Sequence, residues 1–159
     1  MRYIGLMLLL LTNMLYADFT KLNESLDNHE LPISKEYALA VCYTESSFNA
    51  RAISPTADFG ICQIHDYTYY SMCESECFVG KLLEVNYNVK YMVKILRNHA
   101  RHLRQLGLDS DNFNTYLIAS YNLGVYRSYQ LYKKGVVPTY YKRVLDSLDF
   151  LNNKKAITL

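Results

Sequence analysis

The chain reads as a mainly α-helical domain of the α+β class, carrying one small β-hairpin or extended insert. Three observations predict this. Apolar residues recur at intervals of three and four through most of the sequence, the period of a helix with one buried face. Turn formers followed by β-prone residues gather in one stretch, 54–64, where Ser54, Pro55, Asp58 and Gly60 lead into Ile61 and Ile64. The length, 159 residues, suits one domain with an ordinary core, and no internal repeat, low-complexity run or second domain interrupts it.

Residues 1–17 stand apart from that domain. Arg2 is followed by the apolar run Ile4, Gly5, Leu6, Met7, Leu8, Leu9, Leu10 and Leu11, then by a more polar stretch ending at Ala17. A charged start, an apolar middle and a small residue at the cut predict a secretory signal, which leaves a single mature domain over 18–159 in the periplasm or outside the cell. The run is shorter than the roughly 20 apolar residues a spanning helix requires, so no stable membrane insertion is expected once the signal is removed. Retention of the segment as an N-terminal anchor is the alternative.

Within the mature chain, Phe19, Leu22 and Leu26 predict a short packed helix over Asp18 to Leu31, before Pro32 interrupts it. Ser34 can cap a second helix whose inward stripe is Ala38, Val41, Cys42 and Glu45. The clearest helix places Val89, Met92, Val93, Leu96, Ala100 and Leu103 on one face and Lys90, Lys94, Arg97, Arg101 and Arg104 on the other, a solvated basic side. Gly107 is expected to end it and Asp109 to Asn112 to form the next turn. A further helix runs through Phe113, Tyr116, Leu117, Ser120 and Tyr121, closing near Gly124. After a tyrosine-rich segment, Pro138 opens a last helix with Tyr140 or Tyr141, Val144, Leu148 and Leu151 inward.

Charge and cysteine content narrow the function classes. The formal net charge of +2 falls to +1 when Arg2 leaves with the signal, which gives no ground for a nucleic-acid partner or an anionic membrane surface. Cys42, Cys62, Cys73 and Cys77 all lie in the exported part, where an even count favours disulfides. Sequence leaves three pairings open. The arrangement expected here is Cys42 with Cys62 and a local link of Cys73 with Cys77. No Cys-x-x-Cys pair and no histidine at finger-like spacing supports a zinc site, and no metal or cofactor is expected. His99 and His102, three apart on a helix, are read as exposed polar residues. The chain has no tryptophan, so any sugar stacking falls to its 16 tyrosines, with Tyr67, Tyr69, Tyr70 and Tyr126 the candidates for cleft walls.

Glu45 is the residue with chemistry in it. It follows Val41 and Cys42 on an apolar stripe and sits at the end of a helix, where burial and the helix dipole both disfavour the anion. A carboxyl whose pKa is lifted in this way can protonate a glycosidic oxygen near neutral pH. On periodicity alone an ordinary surface glutamate would be the commoner reading.

Four ordered blocks favour the catalytic reading. Glu45-Ser46 is followed by a turn and then by Gly60-Ile61-Cys62-Gln63; Asn88-Val89 opens the long helix; Ser120-Tyr121-Asn122-Leu123-Gly124 comes later; and Tyr140 stands four residues before Val144. In type and order these resemble the lytic transglycosylases with the soluble-lytic-transglycosylase type of catalytic domain, whose corresponding blocks read Glu-Ser, Gly-Leu-Met-Gln and Ala-Tyr-Asn-Ala-Gly. The resemblance implies a lysozyme-like, goose-type fold and cleavage of the β-1,4 bond between N-acetylmuramic acid and N-acetylglucosamine in peptidoglycan. It further implies that Glu45 acts alone, first as acid and then as base toward the muramyl 6-hydroxyl, to give 1,6-anhydromuramyl ends without water. It points to Ser46, Gln63 and Asn122 for hydrogen bonds to the acetamido and hydroxyl groups of the substrate, and to Tyr121 and Tyr140 for holding the substrate or positioning the acid, with packing the alternative for the two tyrosines.

Departures from the pattern are few. Ala57 and Asp58 replace a common Gly-Ala, Cys62 replaces methionine, and Met92 stands where glycine is frequent. An aspartate two residues before Gly60 is similar to small specialised members that serve secretion, conjugation or pilus systems, which extends the expected partners from glycan strands to such a machine. Asp58 is also the one candidate for a second carboxylate. Facing Glu45 it would favour a lysozyme-like muramidase that uses water, but an aspartate in such a turn more often bonds its own backbone. A non-catalytic wall-binding or assembly protein is the reading from another class, disfavoured by the intact Glu45.

Overall fold

The computed structural model describes residues 16–109 and 111–157. The charged start and apolar run of the expected signal lie outside these residues. The expected cut between Ala17 and Asp18 falls inside the first described helix, α1, residues 16–27. The order is then α2 (Lys35–Ser46), β1 (Asp58–Phe59), β2 (Ile64–His65), α3 (Asp66–Met72), a 3-10 turn at Val79–Leu83, α4 (Val85–Gln105), α5 (Phe113–Leu123), α6 (Val125–Lys133) and α7 (Thr139–Ile157). The predicted class holds: a helical domain with one two-stranded antiparallel sheet, Asp58 opposite His65 and Phe59 opposite Ile64.

α1 ends earlier than expected, at residue 27, because Asn28 turns back and donates its side-chain amide to the Glu24 carbonyl at 3.0 Å. Phe19, Leu22 and Leu26 face the core as the pattern required. α2 begins where Ser34 accepts the Tyr37 N–H on its side chain, at 3.5 Å. Its five consecutive residues Ala38 to Cys42 are all buried, so the helix is enclosed on more than its predicted stripe. Small Ala38 and Ala40 allow that enclosure, with α7 lying along the helix.

α4 is the spine. All six predicted inward residues are buried, and Lys90, Arg97, Arg101 and Arg104 are exposed. Gly107, at φ +85°, closes it: its N–H donates to Arg104 and the Leu108 N–H to Leu103, at 2.9 and 3.0 Å. This is the left-handed glycine stop that the sequence signalled. α3 and α6 were not foreseen. α3 is one short run of β-prone residues, started by the His65 ring accepting the Tyr67 N–H. α6 hides its inward face behind a polar residue, Ser128, which is buried and donates to the Tyr116 carbonyl at 2.6 Å.

The two disulfides are Cys42–Cys62 and Cys73–Cys77, the expected pairing. The first joins α2 to the loop between the strands and lies against Met92 of α4, whose sulfur is 3.6 Å from that of Cys42. Asn88 anchors the same loop from the first turn of α4. Buried completely, it accepts the Cys62 N–H at 3.0 Å and donates to the Phe59 and Leu82 carbonyls at 2.8 and 2.7 Å. Gly60 has to be glycine here: its φ is +78°, and a Cβ would stand 2.1 Å from the Leu82 oxygen.

Candidate active site

Glu45 occupies the last turn of α2, which ends abruptly because Ser47 and Phe48 both take positive φ, 54° and 67°. The turn throws the chain away from the helix and leaves the carboxyl at the edge of a cleft of about 380 Å³. Glu45 and Asp58 line one side, Gln63, His65 and Thr68 come from the hairpin and α3, Ile95 and His99 from α4, and Tyr121 and Asn122 from the end of α5. A second hollow of about 360 Å³ adjoins it across Asn122 and Leu123, bounded by Arg127, Tyr140 and Arg143.

The carboxyl is half-buried and makes one close bond, from the buried Tyr140 hydroxyl to Oε1 at 2.6 Å. Burial raises its pKa above the ordinary 4.5. The Tyr140 bond and the Arg143 guanidinium pull the other way, Asp58 pushes up, and the sum is upward. Tyr140 and Tyr121 are themselves raised well above the ordinary tyrosine value, first by burial and then by the Glu45 charge, so both remain neutral donors.

The other residues singled out in the sequence fall into two groups. Gln63 and Asn122 line the cleft. Gln63 sits at φ +49° and donates both amide hydrogens inward, to Ala52 at 3.2 Å and Gly60 at 2.9 Å, leaving its carbonyl oxygen as the free end. Ser46 is not among the residues that line the cleft. Its hydroxyl donates to the Ile61 carbonyl at 2.6 Å and so fastens the end of α2 to the interstrand loop. Tyr121 does the same from the other side, donating to the Cys62 carbonyl at 2.8 Å while its ring forms part of the cleft wall.

Asp58 does not bond its own backbone as such turns commonly do. Its Oδ2 accepts from the side-chain hydroxyls of Ser54 and Thr56, each at 2.6 Å, which closes the turn before β1, and the residue also lines the cleft. Of the four tyrosines proposed as walls, none lines it. Tyr67, Tyr70 and Tyr126 are exposed, and Tyr69 is buried in a ring cluster with Tyr87 and Tyr91. His102 is exposed as expected, but His99 is not: it lies half-buried in the cleft, its Nδ1 3.0 Å from the Ser120 hydroxyl. The signal was available, since position 99 is four past Ile95 and three past Leu96 on the buried flank of α4. Among the described residues no three His, Cys, Asp or Glu side chains are grouped to hold a metal, and no helix is long and apolar enough to cross a membrane.

A mainly helical domain with one small two-stranded sheet is of the lysozyme-like α+β class. The chain belongs to the family defined by the transglycosylase SLT domain, whose model matches residues 27–134. At the level of the family this is lytic-transglycosylase activity on peptidoglycan. No curated protein and no solved structure matches the chain significantly.

Proposed function

We propose that the protein is a peptidoglycan lytic transglycosylase in which Glu45 is the only catalytic carboxyl. The observation that carries this is the raised, half-buried carboxyl at the edge of the cleft, held by Tyr140. In its protonated form Glu45 gives its proton to the oxygen between N-acetylmuramic acid and N-acetylglucosamine, and that bond to the anomeric carbon breaks. The resulting carboxylate takes the proton of the muramyl 6-hydroxyl as the 6-oxygen bonds to the same carbon. Atoms balance with no water added, and a 1,6-anhydro ring ends the strand. Gln63 and Asn122 contact the substrate, while Ser46 and Tyr121 hold the loop that carries Gln63, and Tyr140 orients the acid.

The protein is read as exported by residues 1–17 and working as a single domain, 18–159, on the wall outside the cytoplasm. Service to an envelope-spanning secretion, conjugation or pilus machine rests on Asp58, two residues before Gly60, and would be tested by the genes beside this one. A hydrolytic reading is kept because Asp58 lines the same cleft. Mass spectrometry of the soluble products from isolated sacculi separates the two. Anhydromuramyl ends are expected; ends heavier by one water would instead assign the protein as a muramidase.

Tyr140→Phe tests the orienting role. A hydrogen bond to a charged group contributes about 1.5–3 kcal/mol, so the rate on sacculi is expected to fall roughly 10- to 100-fold. Its bond lowers the Glu45 pKa, so removal raises it. Activity needs the protonated acid, and the alkaline limb of the pH profile therefore moves to higher pH in the variant.

A further inference from the structure

We propose that His99 is a hydrogen-bond acceptor for the glycan, its Nε2 lone pair held toward the cleft by Ser120. The inference rests on the cleft binding N-acetylated sugars and goes on to say which groups of the sugar it recognises. The Ser120 hydroxyl carries a single hydrogen, which it donates to the Leu117 carbonyl at 2.7 Å. The contact of 3.0 Å between that same oxygen and His99 Nδ1 must therefore be donated by the ring. A neutral imidazole has one N–H, so with the proton on Nδ1 the other nitrogen is bare.

Burial pushes the His99 pKa down to about 4, with His102 on the same helix acting in the same direction. Glu45 from α2, Asp58 from β1 and His65 from β2 also border the cleft and do not reverse that shift. The ring is then neutral wherever the cell wall is metabolised. Nε2 has no hydrogen-bond partner among the described residues, and no unpartnered side-chain nitrogen or oxygen there is buried. It is consequently accessible, on a ring that lines the cleft.

Three neighbouring groups are biased in the same way. Gln63 has both amide hydrogens committed to backbone carbonyls, the Tyr121 hydroxyl donates to Cys62, and Asp58 Oδ2 accepts from Ser54 and Thr56. These acceptors stand beside Nε2, while Asn122, the Thr68 hydroxyl and the far ring nitrogen of His65 bring donors to the same cleft. A bare ring nitrogen calls for a donor on the ligand, which the hydroxyls and acetamido N–H groups of N-acetylhexosamines supply. Nothing in the periodicity of α4 calls for a histidine here; an aliphatic residue would fill the position without reading the sugar.

The test uses the N-acetylglucosamine tetramer as probe. In the ¹⁵N-labelled full chain, the imidazole of His99 is expected in the Nδ1–H form between pH 5 and 8, and its Nε2 resonance is expected to shift when the tetramer binds. His99→Leu should weaken tetramer binding about tenfold or more, and His99→Gln, which can present a carbonyl oxygen to the same space, should recover most of that loss. An Nε2–H tautomer, an Nε2 signal unmoved while other cleft resonances shift, or a leucine variant that binds as the parent does would overturn the proposal. If no cleft resonance responds to the tetramer, glycan binding itself fails and the proposal goes with it. The tautomer measurement requires no variant, so a leucine protein that does not fold still leaves the proposal decided.

Discussion

Glu45→Gln is expected to stop the release of soluble fragments from sacculi, with a rate loss of roughly 10²- to 10⁴-fold, the usual contribution of a positioned general acid or base. The upper part of that range is the expectation, because the same carboxyl is assigned to both proton transfers. The amide keeps the shape and can still accept the Tyr140 hydroxyl, so the loss would report on the proton and not on a collapsed cleft. Stability should move the other way. Burial raises the folded carboxyl above its ordinary value of 4.5. Below pH 4.5 the group is protonated whether the chain is folded or not, and the parent and the glutamine variant should unfold alike. As pH rises through the folded pKa the native state is left holding a desolvated anion, and the parent loses stability that the variant keeps. Thermal unfolding at pH 4 and pH 8 checks this. An inactive variant that gains stability only at the higher pH matches the assignment. A variant that digests sacculi at the parental rate would remove Glu45 from the chemistry.

How much of this could be read beforehand depended on the range over which each feature is encoded. α4 was legible because its apolar period is unbroken over 21 residues, and its end because one glycine in the left-handed region stops a helix. The start of α2 was legible from Ser34, and the small sheet from turn chemistry confined to one stretch. α3 and α6 were missed where local preference and tertiary use disagree, as at Ser128, a polar residue with its hydroxyl satisfied inside the core. The placing of the candidate site is harder still. Glu45 and Tyr140 are 95 residues apart, and the bond between them exists only because α7 lies along α2. Periodicity put both residues on inward faces but had no means of joining them; that came from the resemblance, and Tyr140 lies beyond the span the family model matches. Ser46 is a motif position whose hydroxyl is engaged within the fold, on the Ile61 carbonyl, a partner that neither its spacing nor its type announces.

Removing the Cys42–Cys62 bridge, by Cys42→Ala with Cys62→Ala, is expected to cost about 3 kcal/mol, from the loop of 20 residues it closes in the unfolded chain. For a domain of this size that corresponds to a fall in Tm of roughly 6–12 °C. The bridge also has a local consequence. It fixes the strand-connecting loop to the helix that bears Glu45, and the residue after Cys62 is Gln63, held at a positive φ with both amide hydrogens engaged. With the bridge gone, that loop is tied to α2, α4 and α5 by the hydrogen bonds of Ser46, Asn88 and Tyr121. Hydrogen exchange should therefore rise at residues 60–64 more than elsewhere, and activity on sacculi should fall even at temperatures where the variant is folded. Cys73→Ala with Cys77→Ala is the control. That bridge closes a loop of 4 residues on an exposed segment, so the stability loss should be smaller, about 2 kcal/mol by the same chain-entropy argument, and exchange at 60–64 should not change. Equal effects of the two pairs on the cleft would mean that the hydrogen bonds of Asn88, Ser46 and Tyr121 suffice to hold Gln63 against α2, and that the covalent link contributes to folding only.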